Sequence, residues 1–377
     1  MNKLTLKIIT LVFPLLLIVN NVNGIPRFAV KSGASCSTCH INPTGAGMRN
    51  DYGVTIFSMD ELPMERGMKY TDDKYTGRIG DHLQFGADFR FQMLSYAEGD
   101  TIRKTAFFPM QGAVYGHLTV SNAIEVYYKH DLVRGAPQFW TLLKILPNNG
   151  YLRFGREIPN YGFQLDDHTS MVRGGNIRRK HGLTKEGMAF SPLEPFPGMV
   201  EVGMNFSDIF ITLSIANGYV LGSDEGYGFS EGFNDKTMTG RLEYSKVVGS
   251  INMIGGASIM KEQDFLMRGI YGGVNWGKLT WLGELDIADN WVETNSSLAS
   301  YSEFIVEPIQ GVNLLVKFDF FDEDIHKLDN AITRVTGGLE LFPYSFLEIK
   351  VQARFTQIAG ANDQPDPEFL IQLHTWF

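Results

Sequence analysis

Leu83-Gln84-Phe85-Gly86-Ala87-Asp88-Phe89-Arg90-Phe91-Gln92-Met93 is the stretch that decides the fold. Leu83, Phe85, Ala87, Phe89, Phe91 and Met93 alternate with Gln84, Gly86, Asp88, Arg90 and Gln92. Successive side chains on a strand point to opposite faces, so a period of two makes one apolar face and one polar face. The pattern returns in Leu279, Trp281, Leu285 and Ile287 set against Lys278, Thr280, Glu284 and Asp286. It returns again in Leu347, Ile349, Val351, Ala353 and Phe355 set against Glu348, Lys350, Gln352 and Arg354.

A soluble β-sandwich alternates in the same way, so segment length and ends must separate the two architectures. The segments run to about ten residues, the length a tilted strand needs to cross a bilayer. Aromatic residues sit near segment ends, at Tyr127-Tyr128, Trp276 and Trp376, as an interfacial girdle requires. The chain also finishes inside an alternating segment, Phe369, Ile371 and Leu373, with Phe377 as its last residue. The expected fold class is therefore all-β, an antiparallel transmembrane β-barrel.

Counting segments gives 83–95, 105–119, 122–132, 138–147, 150–157, 198–206, 208–217, 237–247, 249–260, 266–276, 278–289, 299–307, 311–322, 331–341, 346–357 and 368–377. That is about sixteen strands, an even number that brings both ends of the barrel to one side. Short links at Ser121, Ser207, Gly277 and Gly311 then become periplasmic turns. The stretches 158–197, 218–236, 323–330 and 358–367 become outer loops. The polar face supplies a lumen with charges of both signs, including Asp88, Arg90, Lys317, Asp319, Glu348 and Arg354. A ladder of one sign would select ions, whereas this mixture is expected to pair and hydrate.

Composition agrees with a barrel. The chain has 27 Phe, 15 Tyr and 5 Trp, with a mean hydropathy of −0.09, which suits one lipid-facing and one polar surface. A net charge of −9 argues against nucleic acid as a partner. Residues 1–24 read as a signal peptide: Lys3 and Lys7, an apolar run from Ile8 to Val19, and Val22-Asn23-Gly24 for cleavage.

The second informative stretch is Cys36-Ser37-Thr38-Cys39-His40, which contains both cysteines of the chain. Two thiols at this spacing add across the vinyl groups of a porphyrin, and the adjacent imidazole reaches the iron. One covalent haem c, held by Cys36 and Cys39 with His40 as proximal ligand, is the expected cofactor. A simple disulfide is the plainer alternative, and a four-ligand zinc site would need two further ligands. For the sixth position of the iron, Met48, Met59, Met64, Met68 and His82 are the nearby candidates. Pro43-Thr44-Gly45-Ala46-Gly47 reads as a flexible turn beside the haem. Residues 25–82 are too few for an independent cytochrome domain, so they are expected to form a haem-binding plug in the barrel of residues 83–377.

The outer segment 158–197 is longer than ordinary connections. It carries Asp166-Asp167-His168, Arg173, Arg178-Arg179-Lys180 and His181, and is expected to enter the barrel as a constriction, to stand outside as a docking surface, or to be a solvated loop whose charges serve solubility. Acidic residues at Asp224, Glu225, Glu231 and Asp235 fall in another outer loop.

Ile25-Pro26-Arg27-Phe28-Ala29-Val30, Gly33, the Cys-x-x-Cys-His stretch, Asp51-Tyr52-Gly53 and a barrel ending in Phe377 together resemble the fused monohaem cytochrome–porins of bacterial outer membranes. That family includes outer-membrane iron oxidases. Ile41-Asn42-Pro43-Thr44-Gly45 departs from the iron oxidases and looks more like haem-bearing barrel proteins of metal-reducing bacteria. The resemblance implies electron transfer across the outer membrane, as an oxidoreductase of iron-oxidase type. The partners it implies are membrane lipid, a periplasmic c-type cytochrome, and an extracellular metal such as iron or a multihaem cytochrome. A passive solute porin with a structural haem, or a barrel sheath around separate multihaem cytochromes, is the alternative.

Overall fold

The computed structural model describes residues 26–64, 76–98, 102–133, 135, 137–165, 167, 169–175, 186–188, 195–218, 220, 235–291, 294–360 and 364–377. Of the residues singled out above, the signal-peptide residues 1–24, Ile25, Met68, Asp166, His168, Arg178, Arg179, Lys180, His181, Asp224, Glu225 and Glu231 lie outside the described residues.

Sixteen antiparallel strands close into a barrel, and a short extra strand, β1 (Arg78–Ile79), joins its rim. The barrel strands are β2 (Leu83–Glu98), β3 (Ile102–Ser121), β4 (Ile124–Asp131), β5 (Gln138–Leu146), β6 (Gly150–Glu157), β7 (Phe196–Phe206), β8 (Ile209–Asn217) and β9 (Lys236–Val248). They continue with β10 (Ile251–Glu262), β11 (Phe265–Trp276), β12 (Leu279–Asp289), β13 (Ser296–Ile309), β14 (Val312–Asp322), β15 (Ala331–Tyr344), β16 (Leu347–Ile358) and β17 (Asp366–Trp376). Each strand pairs with its sequence neighbour, and β17 pairs with β2 from Glu368↔Tyr96 to Trp376↔Asp88, which closes the ring. Closure leaves no free edge, the condition for a sheet in hydrocarbon.

The burial pattern is inverted relative to a water-soluble sheet. On β2, Phe85, Phe89 and Phe91 are exposed while Gln84, Asp88, Arg90 and Gln92 are buried; Phe91 is 47 % exposed and Arg90 6 %. Phe107, Leu213, Met238, Ile270, Phe304, Val316, Phe355 and Leu373 continue the apolar exterior around the ring. Water makes such an exterior costly, at about 25 cal/mol for each Å² of apolar surface, whereas lipid does not. Among the described residues no helix is long and apolar enough to cross a membrane.

One end of the barrel carries turns such as Gly249-Ser250 and Gly277-Lys278, while the strand ends that close β6, open β7, close β8 and open β9 lie at the other end. The expected aromatic girdle needs correction. Trp276 and Tyr128 do face outward, but Tyr127 and Trp376 are buried inside, each 2 % exposed. Alternation demands this: neighbours such as Tyr127 and Tyr128 must take opposite faces.

The lumen is filled from both ends. At the short-turn end, residues 26–64 lie inside the wall as helix α1 (Pro26–Ser32), the single turn α2 (Cys36–Cys39) and a π-helix over Gly53–Glu61. At the other end, the described residues of the 158–195 connection turn inward. Its Tyr161, Phe163, Met171, Val172 and Met188 pack against the inward-facing Met260, Met267, Ala288, Ala299 and Phe321. Among the expectations for this segment, its described residues follow the constriction. Its cause is an apolar patch on the inner wall, which a charged lumen would otherwise leave facing water.

Candidate functional site

Helix α1 anchors the plug. Val30 is buried against the wall where β11 has Gly273, whose absent Cβ would lie 2.9 Å from Val30 Cγ2. Arg27 pairs with Glu340, and Lys31 Nζ reaches Glu307 at 2.5 Å. The Asn252 side chain donates to the Lys31 carbonyl at 2.7 Å. Phe28 packs edge-on against Phe57 and Phe342, and Phe342 in turn packs against Trp376. Trp376 Nε1 donates to Ser58 Oγ at 2.9 Å, so the last strand holds the π-helix.

The Cys-x-x-Cys-His stretch forms one helical turn. The His40 amide donates to the Cys36 carbonyl at 3.0 Å, which sets the imidazole immediately after the turn. Residues three apart on a helix share a face, so both thiols belong to one side of α2. They form no disulfide. Enclosure in the lumen, with Glu243 nearby, pushes the Cys36 thiol up to about 12; burial pushes Cys39 up to about 11. Both thiols are therefore protonated at neutral pH, the inert state for structural cysteines.

Beyond His40 the chain makes a hairpin rather than the expected flexible turn. His40 and Arg49 form an antiparallel bridge, with the Ile41 amide donating to the Met48 carbonyl at 3.1 Å and Asn50 to Cys39 at 3.0 Å. Asn42 Oδ1 rigidifies the tip. It accepts from the Thr44 amide at 3.1 Å, the Thr44 hydroxyl at 2.9 Å and the wall's Arg153 Nη1 at 2.5 Å. Two glycines are dictated by close approach. A Cβ on Gly53 would fall 2.1 Å from the Cys39 carbonyl, and Gly47, at φ +68°, lies beneath the Tyr127 hydroxyl.

Between plug and constriction lies a cavity of about 260 Å³. Cys39 and His40 line it, with Phe28, Phe57, Leu62, Phe342 and Trp376 as an apolar side and Arg27, Arg49, Arg90 and Lys350 as cations. The cavity wall thus offers the Cys39 thiol, the buried His40 imidazole, aromatic surface and cations interleaved with carboxylates such as Asp88, Glu340 and Glu348. Cys36 sits on the same turn outside the lining. Thiols, imidazole, aromatic surface and cations are what a haem c uses. The residues present fit that group.

The candidates for the sixth position are scattered. Met48 is buried in the cluster of Tyr115, Tyr127 and Trp140 and packs against the wall. Met64 lies against the Gly311 turn, with its amide donating to the Phe342 carbonyl at 2.9 Å. Met59 is partly exposed, and its carbonyl accepts from Ser345 Oγ at 3.4 Å. His82 is exposed at the rim, its Nδ1 2.8 Å from the Thr119 carbonyl. None of these four lines the cavity.

The lumen charges pair, as their mixed signs suggested. Arg153 reaches Glu201 at 2.7 Å, Lys350 lies 3.3 Å from Glu340, and His374 bridges Glu348 and Asp88 at 2.8 and 3.0 Å. Arg173 fixes the constriction through Glu284 at 2.5 Å and Asp286 at 3.2 Å, and also donates to the carbonyls of Tyr161 and Phe163 at 3.1 Å. Asp167 pairs with Lys317 at 2.7 Å, and Ser170 Oγ donates to Asp319 at 2.9 Å. Among the described residues no group of three or more His, Cys, Asp or Glu converges as a site for a bare metal ion.

No family model matches the chain, and no curated protein does. Solved structures do. OprB of Pseudomonas putida superposes with a TM-score of 0.55 at 10% identity, covering 78% of this chain and 94% of its own. An anion-selective porin from Comamonas acidovorans gives 0.54 at 11%, over 78% and 99%. OmpT, an outer membrane protein of Vibrio cholerae, gives 0.53 at 12%, over 78% and 97%. The barrel has the porin fold. At these identities the likeness concerns the fold alone, and none of it bears on the Cys-x-x-Cys-His segment.

Proposed function

We propose that this chain is a plugged barrel of the bacterial outer membrane that carries electrons through one covalently bound haem c. It would work between a periplasmic c-type cytochrome and an extracellular donor or acceptor such as iron. The observation that carries the reading is the placement of Cys36, Cys39 and His40 on one turn inside the lumen, beside a cavity with aromatic and cationic walls. The inverted exterior and the porin fold support the membrane location. Short turns at the plug end support a periplasmic plug.

Haem held there supplies one-electron ferric–ferrous chemistry. Cys36 and Cys39 would hold the vinyl carbons, and His40 the iron. Arg49, whose guanidinium lies over the Trp376 ring, would face the propionates, Arg27 and Lys350 being paired with Glu340, and the constriction would exclude outside water from the ring. The apolar band of such a barrel is about 25 Å tall, so an anchor within the lumen shortens the path to the outer loops more than one at the mouth.

The porin fold favours a second reading, a solute channel in which the haem segment is only a plug. Solved relatives of the fold include an anion-selective porin. Against it, and against a sheath around a separate multihaem cytochrome, stand the residues that occupy the lumen from two sides, 26–64 and the described part of 158–195. Purified protein in liposomes, with a trapped electron acceptor and a membrane-impermeant reductant outside, separates the readings. Electron transfer is expected at rates far above protein-free vesicles, together with negligible release of trapped sugar. Sugar release without electron transfer would establish the channel instead.

A further inference from the structure

We infer that Met110, a residue of the barrel wall, is the second axial ligand of the iron that His40 holds from the plug. This deepens the haem reading and rests on it.

The first observation is a bulge. In the β2–β3 ladder Arg90 pairs with Gln111 and Phe91 with Pro109, so Met110 is an extra residue without a partner in β2. Bulges of this kind turn a side chain out of the ordinary alternation. The consecutive residues Met110 and Gln111 are accordingly both buried, and both line the cavity that holds Cys39 and His40.

The second observation is elimination among donors. A c-type haem is completed by His or Met. Among the described residues lining the cavity, those side chains are His40, Met110 and His374. His374 has Nδ1 2.8 Å from Glu348 and Nε2 3.0 Å from Asp88, so both ring nitrogens are engaged by carboxylates.

The third observation is orientation. Gln372 Nε2 lies 3.0 Å from the Met110 sulfur and 3.1 Å from Gln92 Oε1. A thioether has two lone pairs and accepts weakly, so this contact aims one pair and leaves the other for a metal. Arg49, bridged to His40, has its guanidinium 4.8 Å from the Trp376 ring centre; that ring lies 4.8 Å from the His374 ring, and His374 pairs with Arg90 beside the bulge. A ligand from the wall and one from the plug would make the iron the latch between the two.

The test uses the full chain, matured in a host competent for cytochrome c and purified in detergent, as wild type and as Met110→Leu, Met110→His and Met48→Leu. Haem content is measured first by pyridine haemochrome. Ferric wild type and Met48→Leu should be low-spin with the long-wavelength sulfur-to-iron charge-transfer band. Met110→Leu should lose that band, become high-spin and bind added imidazole at least tenfold more tightly. Met110→His should restore the low-spin state without the band and with a lower reduction potential, since methionine raises it relative to histidine. Survival of the band in Met110→Leu, or its absence from haem-containing wild type, would overturn the assignment while leaving the haem reading standing. Wild type without covalent haem would overturn both.

Discussion

Arg173 is the residue on which the outer constriction depends, and replacing it by Met should make the segment open far more often. Its guanidinium lies 2.5 Å from Glu284 and 3.2 Å from Asp286, with all three side chains at most 1 % exposed. Removing one partner of a buried ionic cluster leaves charge uncompensated and costs about 3–5 kcal/mol. At 1.4 kcal/mol for each factor of ten, the open population should rise by roughly two to three and a half orders of magnitude. Tyr161, Phe163, Met171 and Val172 still pack inside, so the segment should remain docked on average. Chymotrypsin added to intact cells cleaves after Tyr161 and Phe163 only in the open state, and its rate follows the open population when reclosing is fast. Peptide mass spectrometry should show cleavage at least a hundredfold faster in Arg173→Met. Adding Glu284→Gln and Asp286→Asn should reverse most of that gain, because no buried charge then lacks a partner. A cleavage rate within threefold of wild type would refute the claim that the ion cluster holds the constriction.

Two further outcomes follow from the titrating groups. In protein made without haem attachment, burial holds the Cys36 and Cys39 thiols protonated, so iodoacetamide at pH 8 should label them at least tenfold more slowly when folded than when unfolded; equal rates would contradict the enclosed site, and labelling only after reduction would establish a disulfide. Burial alone would raise Asp167, but Lys317, Arg354 and Arg334 hold its carboxyl well below the usual carboxylate range. A depressed folded value gives stability that is present above the ordinary carboxylate pKa and lost only as pH falls through the folded one. Docking of the constriction, followed by the same proteolytic cleavage with an acid-active protease, should therefore persist at pH 4 in wild type and weaken in Asp167→Asn; identical behaviour of the two would contradict the Asp167–Lys317 pairing.

The barrel was largely legible because each strand must bury polar groups on one side and offer apolar ones on the other. That requirement writes a period of two into every segment, and each of the sixteen expected segments corresponds to an observed strand. Shifts at the ends, such as β7 beginning at Phe196 rather than 198, arise where inside and outside both meet water and the alternation loses its cause. The reading of Trp376 and Tyr127 as girdle residues failed because nearness to a strand end was weighed without parity. The plug's internal order was invisible for another reason: the contact of Asn42 with Arg153 joins residues 111 apart, and no local pattern records it. The inward turn of the constriction had a faint signal. Met260, Met267 and Phe321 put apolar side chains on the lumen parity, which a water-filled pore would not favour. The bulge had one too. Phe107 and Pro109 face outward at odd positions while Val114 and Leu118 face outward at even ones, so the alternation slips by one at Met110.

Covalent haem content is the quantity on which the account stands most directly. Purified from a host with a working cytochrome c maturation system, the protein should carry one haem per chain by pyridine haemochrome and by intact mass, resistant to acid–acetone extraction. Replacing Cys36 and Cys39 by Ala should abolish that haem while the barrel still assembles. A colourless wild-type protein whose mass matches the bare polypeptide would contradict it.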